Sequence, residues 1–311
     1  MLSVKNLIDT YSLTADDITQ ILDTAASFES VNNRAIKKVP ALRGRTIVNL
    51  FLEPSTRTKS SFELAEKRLS ADSLSMGGST SSVVKGESLA DTIQTISAMN
   101  VDMFVCRAKL AGTPQRITEN TDAVVINAGD GKHQHPTQAM LDLYTIRKNF
   151  GHLDGLKVAI VGDLAHSRVC GSLAPALKTM GAEVTLVGPP TFQVDDPDWF
   201  GCPQTASLDD VIEDMDVVYM LRVQLERMEG AAIPSRREYN RLYGLDMTRV
   251  NRMKPGAIIC HPGPMNRGME INADVADCAR SRILNQVNAG VLTRMAEMYQ
   301  LLGGENNGLS A

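Results

Sequence analysis

The chain has 311 residues, 43% of them hydrophobic and 22% charged, with a formal net charge of −4. That length allows two domains with sizeable cores, and the composition excludes a wholly disordered chain, a collagen and a long coiled coil. A net negative chain has no general attraction for nucleic acid or anionic membrane, so an anionic substrate must be met by a local cluster of cations. No apolar stretch approaches the length of a membrane span, and the opening MLSVKNLIDTYSL lacks the basic-then-apolar pattern of a signal peptide. Five scattered cysteines (Cys106, Cys170, Cys202, Cys260, Cys278) form no C-x-x-C pair. They fit a reducing cytoplasm, the expected location, and argue against a disulfide framework or a structural zinc site.

In chain order, a helix is predicted from Thr14, which caps it. Asp16 and Asp17 suit its positive end, and Ile18, Ile21, Leu22 and Ala25 form its apolar stripe. Leu13 and Ile18 stand at hydrophobic-staple spacing. Residues 46–53 read as a buried strand, 56–69 and 87–99 as helices, 101–106 and 123–127 as strands, and 137–150 as a helix. The segment GHLDG, 151–155, reads as the boundary between domains. The alternation then restarts, with strands at 157–162, 183–188, 216–221 and 256–261 and a helix at 169–180. A last helix runs over about 280–302, and the tail GGENNGLSA reads as disordered. The fold class is therefore α/β: two parallel-sheet α/β domains joined by a hinge, with a long C-terminal helix. In such sheets ligands bind beyond the carboxyl ends of the strands.

The chemistry-bearing residues fall at those ends. Ser55-Thr56-Arg57-Thr58 opens a helix after a buried strand. It reads equally as a phosphate cradle, with backbone N–H groups, hydroxyls and a guanidinium, and as a helix cap with a solvated arginine. The run from Ser79 to Glu87 is a Ser/Thr-rich loop with one cation, Lys85, and by itself reads as solvent-exposed. Arg107 follows a strand and suits a ligand oxygen or a surface ion pair. Residues 127–138, NAGDGKHQHPTQ, carry His135 and Gln138, candidates for a small neutral group. The His133-x-His135 spacing lacks the partners a metal site needs. VGDLAHSRV, 161–169, lacks the G-x-G-x-x-G pattern of a dinucleotide turn, but places Arg168 at a helix start as a carboxylate fork. Arg222-Val223-Gln224 and His261-Pro262-Gly263-Pro264 leave two further strands. There is no metal set, cysteine nucleophile or Ser-His-Asp signature in this pattern. It points to a transferase that aligns two anionic substrates.

These motifs, in this order and spacing to about Leu302, resemble the aspartate/ornithine carbamoyltransferase family. Ser55–Thr58 and His135-Pro136-Thr137-Gln138 mark the family. The Lys85 loop, Arg222-Val223-Gln224 and His261–Pro264 are similar to its aspartate branch. The resemblance implies transfer of a carbamoyl group from carbamoyl phosphate to the α-amine of L-aspartate in pyrimidine (UMP) biosynthesis, with no cofactor and no metal. It implies a carbamoyl phosphate-binding domain over 1–150, onto which the helix at about 280–302 packs back, and an aspartate-binding domain over 151–311. The phosphate would meet Ser55, Thr56, Arg57, Thr58 and Arg107; the carbonyl oxygen Thr58, Arg107 and His135. The carbamoyl NH₂ would meet Gln138 and the backbone near Gly263 and Pro264. The aspartate carboxylates would meet Lys85, Arg168, Arg222 and Gln224. Arg57, Thr58, Lys85, Arg107 and His135 are the implied catalytic residues.

The resemblance further implies a homotrimer with shared active sites, Ser81 and Lys85 reaching in from the adjacent subunit, and possible regulatory-chain or dihydroorotase partners. Domain closure would unite the half-sites, with Glu53 pairing to an arginine of the second domain. Two departures stand out: Ala108-Lys109 after Arg107, where relatives commonly have His-Pro, and Val83-Val84 before Lys85, where some carry glycine or a second lysine. Transfer to another amine acceptor, such as ornithine or an acylated ornithine, is the alternative within the family, and a non-catalytic binder of phosphorylated metabolites the alternative outside it.

Overall fold

A computed structural model of the chain describes residues 2–32, 34–77, 88–196, 201–224 and 235–303. The chain divides into two compact units, Met1–Tyr144 with Asn288–Ala311, and Thr145–Val287.

The first helix, α1 (Ala15–Ser27), starts as its sequence dictates. Asp17 N–H donates to the Thr14 hydroxyl, Thr14 N–H donates to the Asp17 carboxylate, and Leu13 and Ile18 are buried beside them. A short turn of helix, α2 (Glu29–Asn32), follows. Then come β1 (Thr46–Phe51), α3 (Thr56–Leu69), β2 (Asp72–Gly77), α4 (Leu89–Ser97), β3 (Met103–Ala108), α5 (Thr113–Thr118), β4 (Val124–Asp130) and α6 (Pro136–Phe150). The strands pair in parallel in the order β2-β1-β3-β4. Strands β1, β3 and β4 are almost wholly buried, which is why each reads as a largely apolar run. Strand β2 is not anticipated from the sequence. It is an edge strand, DSLSMG, with exposed positions and no apolar run to betray it.

The second unit holds β5 (Lys157–Val161), α7 (Arg168–Thr179), β6 (Glu183–Val187), β7 (Gln204–Thr205), β8 (Val217–Met220), α8 (Arg236–Tyr243), α9 (Met247–Arg252), β9 (Ile258–Cys260) and α10 (Ala273–Ala276). Its parallel sheet runs β7-β6-β5-β8-β9. Helices α8 and α9 also escape a reading of the sequence, because they are short and largely polar.

The last helix, α11 (Ile283–Leu302), returns to the first unit along most of its length. Gln300 there donates to the Thr24 hydroxyl at 2.7 Å, and the rings of Phe28 and Tyr299 meet edge to face. At Gly290 a Cβ would come within 3.2 Å of Leu141 and 2.6 Å of the Arg294 guanidinium, so glycine lets α11 lie close against α6. Among the described residues no helix is long and apolar enough to cross a membrane. The tail beyond Gly303 lies outside the described residues.

Candidate active site

In the first unit, β1 ends at Phe51 and α3 begins at Thr56, with Ser55 as its N-cap. Ser55 makes no side-chain cap hydrogen bond, and the first turn of α3 contains no acidic residue. The contrast with α1 is direct: there a Thr–Asp box and two acids occupy the helix start. A start without them offers its outward N–H groups and positive dipole to an external anion. Thr56 and Arg57 are exposed at this end, while Ser55 and Thr58 are partly buried.

Arg107 lies opposite Phe51 in the β1–β3 register, so its guanidinium stands beside the loop that leads to α3. It is ion-paired with Glu53 at 3.2 Å and donates to the Ala128 carbonyl at 3.1 Å. Glu53 thus pairs with Arg107 of its own unit. The parallel register brings the ends of β1 and β3 together, and that makes this the near partner. Ala108 is the buried last residue of β3, beside an irregularity in its pairing with β4.

The loop after β4 is organised by Asp130, which is completely buried. Its carboxylate accepts from Asn127 Nδ2 at 2.9 Å, from the N–H of Gln134 at 3.0 Å and from the N–H of Gly112 at 2.7 Å, and meets the His133 ring at 3.1 Å. Gly131 has φ +50° and packs where a Cβ would strike the Ala111 backbone at 2.9 Å. The loop thus delivers His135 and Gln138 to the start of α6, both buried. The Thr137 hydroxyl lies 3.3 Å from His135 Nδ1, and Gln138 Nε2 donates to Asp142 at 3.1 Å, which fixes the amide's orientation. Reasoning from the sequence misses Asp130 as a buttress. The Gly-Asp-Gly context is its only signal.

Behind α3, Arg294 of α11 donates to Ser61 at 2.6 Å and stacks over Phe62. Burial, with a small push from the charge of Arg57, lowers its guanidinium to about 10, against the pull of Glu297 and Asp142. Burial pushes the neighbouring Glu297 carboxyl up to about 8 despite the attraction of Arg294.

In the second unit, Arg168 is the first residue of α7 and is buried, behind the N-cap Ser167. Asp163, after β5, is buried and accepts from the backbone N–H and meets the ring of His166, at 3.2 and 2.8 Å. Arg222 and Gln224 follow β8 and are partly buried. His261, after β9, is buried. Its Nδ1 accepts from the Gly263 N–H at 2.7 Å, so Nε2 carries the proton that faces Glu270 at 3.2 Å. This contact closes the turn in which Gly263 adopts φ +59° and the Gly263–Pro264 bond is cis. Ser81, Lys85 and the Val83-Val84 departure lie outside the described residues.

Burial pushes the thiols of Cys106 and Cys170 up, which leaves them protonated at neutral pH. Among the described residues no group of three or more His, Cys, Asp or Glu side chains is placed to hold a metal ion.

Two family models match the chain: aspartate/ornithine carbamoyltransferase, carbamoyl-P binding domain, over residues 5–148, and aspartate/ornithine carbamoyltransferase, Asp/Orn binding domain, over 154–301. An aspartate carbamoyltransferase catalytic subunit from Thermobifida fusca is 54% identical over 301 residues, covering 97% of this chain and 96% of the relative. The catalytic subunit of M. jannaschii aspartate transcarbamoylase superposes with TM-score 0.85 at 36% identity, covering 98% of this chain and 100% of the other. Aspartate transcarbamoylase from Trypanosoma cruzi, in complex with N-(phosphonacetyl)-L-aspartic acid, superposes with TM-score 0.88 at 29% identity over 97% of each chain. Together the two family models span nearly all of the sequence, and the chain belongs to the aspartate/ornithine carbamoyltransferase family.

Proposed function

We propose that the chain transfers the carbamoyl group of carbamoyl phosphate to the α-amine of L-aspartate, giving N-carbamoyl-L-aspartate and phosphate. The observation that carries the reading is the uncapped, acid-free start of α3, flanked by Arg107 and followed by the buried His135. The similarity to aspartate carbamoyltransferases supports the same acceptor.

On this reading residues 1–150 form the carbamoyl phosphate-binding domain and 151–311 the aspartate-binding domain, apart from the last helix. Ser55, Thr56, Arg57, Thr58 and Arg107 hold the phosphate. Thr58, Arg107 and His135 face the carbonyl oxygen, while Gln138 and the carbonyls around Gly263 and Pro264 accept from the carbamoyl NH₂. Arg168, Arg222, Gln224 and Lys85 take the two aspartate carboxylates. As the amine attacks, negative charge grows on the carbonyl oxygen, and a fixed donor there contributes about 3 to 4 kcal/mol. Phosphate departs as a stabilised anion and takes the amine proton. The acceptor is anionic because the second unit offers arginines; ornithine's side-chain ammonium needs acids in their place.

The chain works in the cytoplasm, in de novo pyrimidine synthesis, as a homotrimer in which Ser81 and Lys85 complete the site of the adjacent subunit. Regulatory chains or a dihydroorotase are its candidate partners. One assay tests the reading: carbamoyl phosphate with a panel of amine acceptors, on protein whose mass is measured in solution. Carbamoylaspartate formed without added metal is expected. Preference for ornithine or an acylated ornithine would reverse the roles given to Arg168 and Arg222, and binding of carbamoyl phosphate without any product would make the chain a metabolite binder.

A further inference from the structure

Val223 sits between two of the proposed aspartate ligands, Arg222 and Gln224. Its side chain is buried in an apolar cluster with Phe192, Tyr239 and Met269. Its carbonyl accepts a hydrogen bond from Asn266 Nδ2 at 3.0 Å. The other proton of that amide faces Glu270 Oε2 at 3.2 Å. Glu270 is completely buried, and its Oε1 accepts from the Asn266 backbone N–H at 2.6 Å and faces His261 Nε2 at 3.2 Å. His261 in turn closes the Gly263 turn. One buried carboxylate therefore organises both the turn at Gly263–Pro264 and, through a single amide, the backbone that carries Arg222 and Gln224.

We propose that Asn266, oriented by Glu270, is a positioning residue for acceptor binding: it tethers the Val223 carbonyl and so fixes where Arg222 and Gln224 project. The inference rests on the acceptor role given above to those two residues. The tether depends on the direction of the amide, which Glu270 sets. A carboxylate on both oxygens leaves Asn266 only one way to face, with both Nδ2 protons donated and the second directed to Val223. A partly buried amide held on both sides in this way has one orientation.

The test is a cycle of isosteric substitutions. Asn266→Asp removes both donors. Glu270→Gln sets an amide NH₂ against Asn266 Nδ2, so the Asn266 amide turns over and its oxygen opposes the Val223 carbonyl. The double variant restores the internal bond, the introduced amide now donating to the introduced carboxylate, but it cannot donate to Val223. Each single variant is expected to raise the KM for L-aspartate about tenfold, the usual scale for losing one such bond; carbamoyl phosphate affinity is expected to stay unchanged by calorimetry in Asn266→Asp, which keeps the Glu270–His261 contact at the Gly263 turn. The double variant is expected to regain thermal stability while its KM stays raised. Recovery of KM in step with stability, or a parental KM in either folded single variant, overturns the proposal.

Hydrogen–deuterium exchange gives a readout that does not need the acceptor's identity. Peptides spanning 221–224 are expected to exchange faster in Asn266→Asp and in the double variant than in the parent, and unchanged exchange there also overturns the tether. Should the parent prefer another acceptor, the function reading fails, while the exchange result still decides the tether.

Discussion

The two units hold their proposed ligands in opposite ways. In the first, four donors stand in one contiguous run at the start of α3, with Arg57 exposed and Ser55 making no side-chain cap bond. In the second, Arg168 is buried, Arg222 and Gln224 are partly buried, and the Val223 carbonyl between the latter two accepts from Asn266, which itself donates to the buried Glu270. A helix start used as an anion site needs nothing from the core beyond the strand that delivers it. A buried arginine must be matched by the fold around it, because an uncompensated charge inside is costly. The first half-site is therefore separable from stability, and the second is not.

Arg57→Ala and Arg168→Ala put that contrast to its strongest test. Arg57→Ala is expected to lower kcat/KM for carbamoyl phosphate by about 10² to 10³, the cost of one fixed donor to developing charge, with Tm unchanged, as for most surface substitutions. Arg168→Ala is expected to raise the KM for L-aspartate roughly 100-fold and also to lower Tm, since it empties a buried position. Equal losses of Tm in the two variants, followed by thermal denaturation, would break the comparison.

The same contrast explains what is legible in the sequence. The STRT run can be found because its four residues are adjacent and their hydrogen-bonding groups share one helix turn. The strands β1, β3 and β4 can be found because burial on both faces demands largely apolar runs, with polar breaks such as Asn49 and Asn127 few among them. Asp130 and Glu270 cannot. A lone acid in a loop looks like a solvated one until the tertiary fold brings N–H groups onto it from residues far apart, as Gly112 and Gln134 do for Asp130. Arg107 can be found, but not its pairing with Glu53, because strand register is invisible in a linear reading. Strand β2 is lost for the opposite reason: an edge needs little apolar surface.

Glu297 sharpens the comparison from behind the first half-site. Its carboxyl lies at about 8 against 4.5 when unfolded, raised by burial. As pH rises from 4.5 to 8 the unfolded chain releases this proton while the folded chain keeps it, so stability falls across that window and the full cost is present above 8. Glu297→Gln never ionises. It is expected to be more stable than the parent by about 5 kcal/mol at pH 9 and by progressively less toward pH 5, as followed by denaturant melts. Its carbamoyl phosphate KM at pH 7 is expected to stay within twofold of the parent. A large change in KM would tie the buried charges of α11 to the cradle in front of them, and the first half-site would no longer be separable.

The smallest effect compares two helix starts within the first unit. Burial works to raise the Asp17 carboxyl, but bonds from Ser3 N–H and Oγ and from Thr14 N–H and Oγ outweigh it and hold the group at about 2, against 3.8 unfolded. A depressed carboxyl contributes stability that is present above 3.8 and lost as pH falls toward 2. Asp17→Asn is thus expected to cost about 2 kcal/mol at pH 7, and the gap from the parent is expected to close as pH falls through that window. Ser55→Ala, at a cap whose hydroxyl makes no such bond, is expected to leave Tm in place and weaken carbamoyl phosphate binding instead. The pair separates a helix start closed by its own acid from one kept open for a ligand's. A Ser55→Ala variant that melts as early as Asp17→Asn would mean that both starts serve the fold alone.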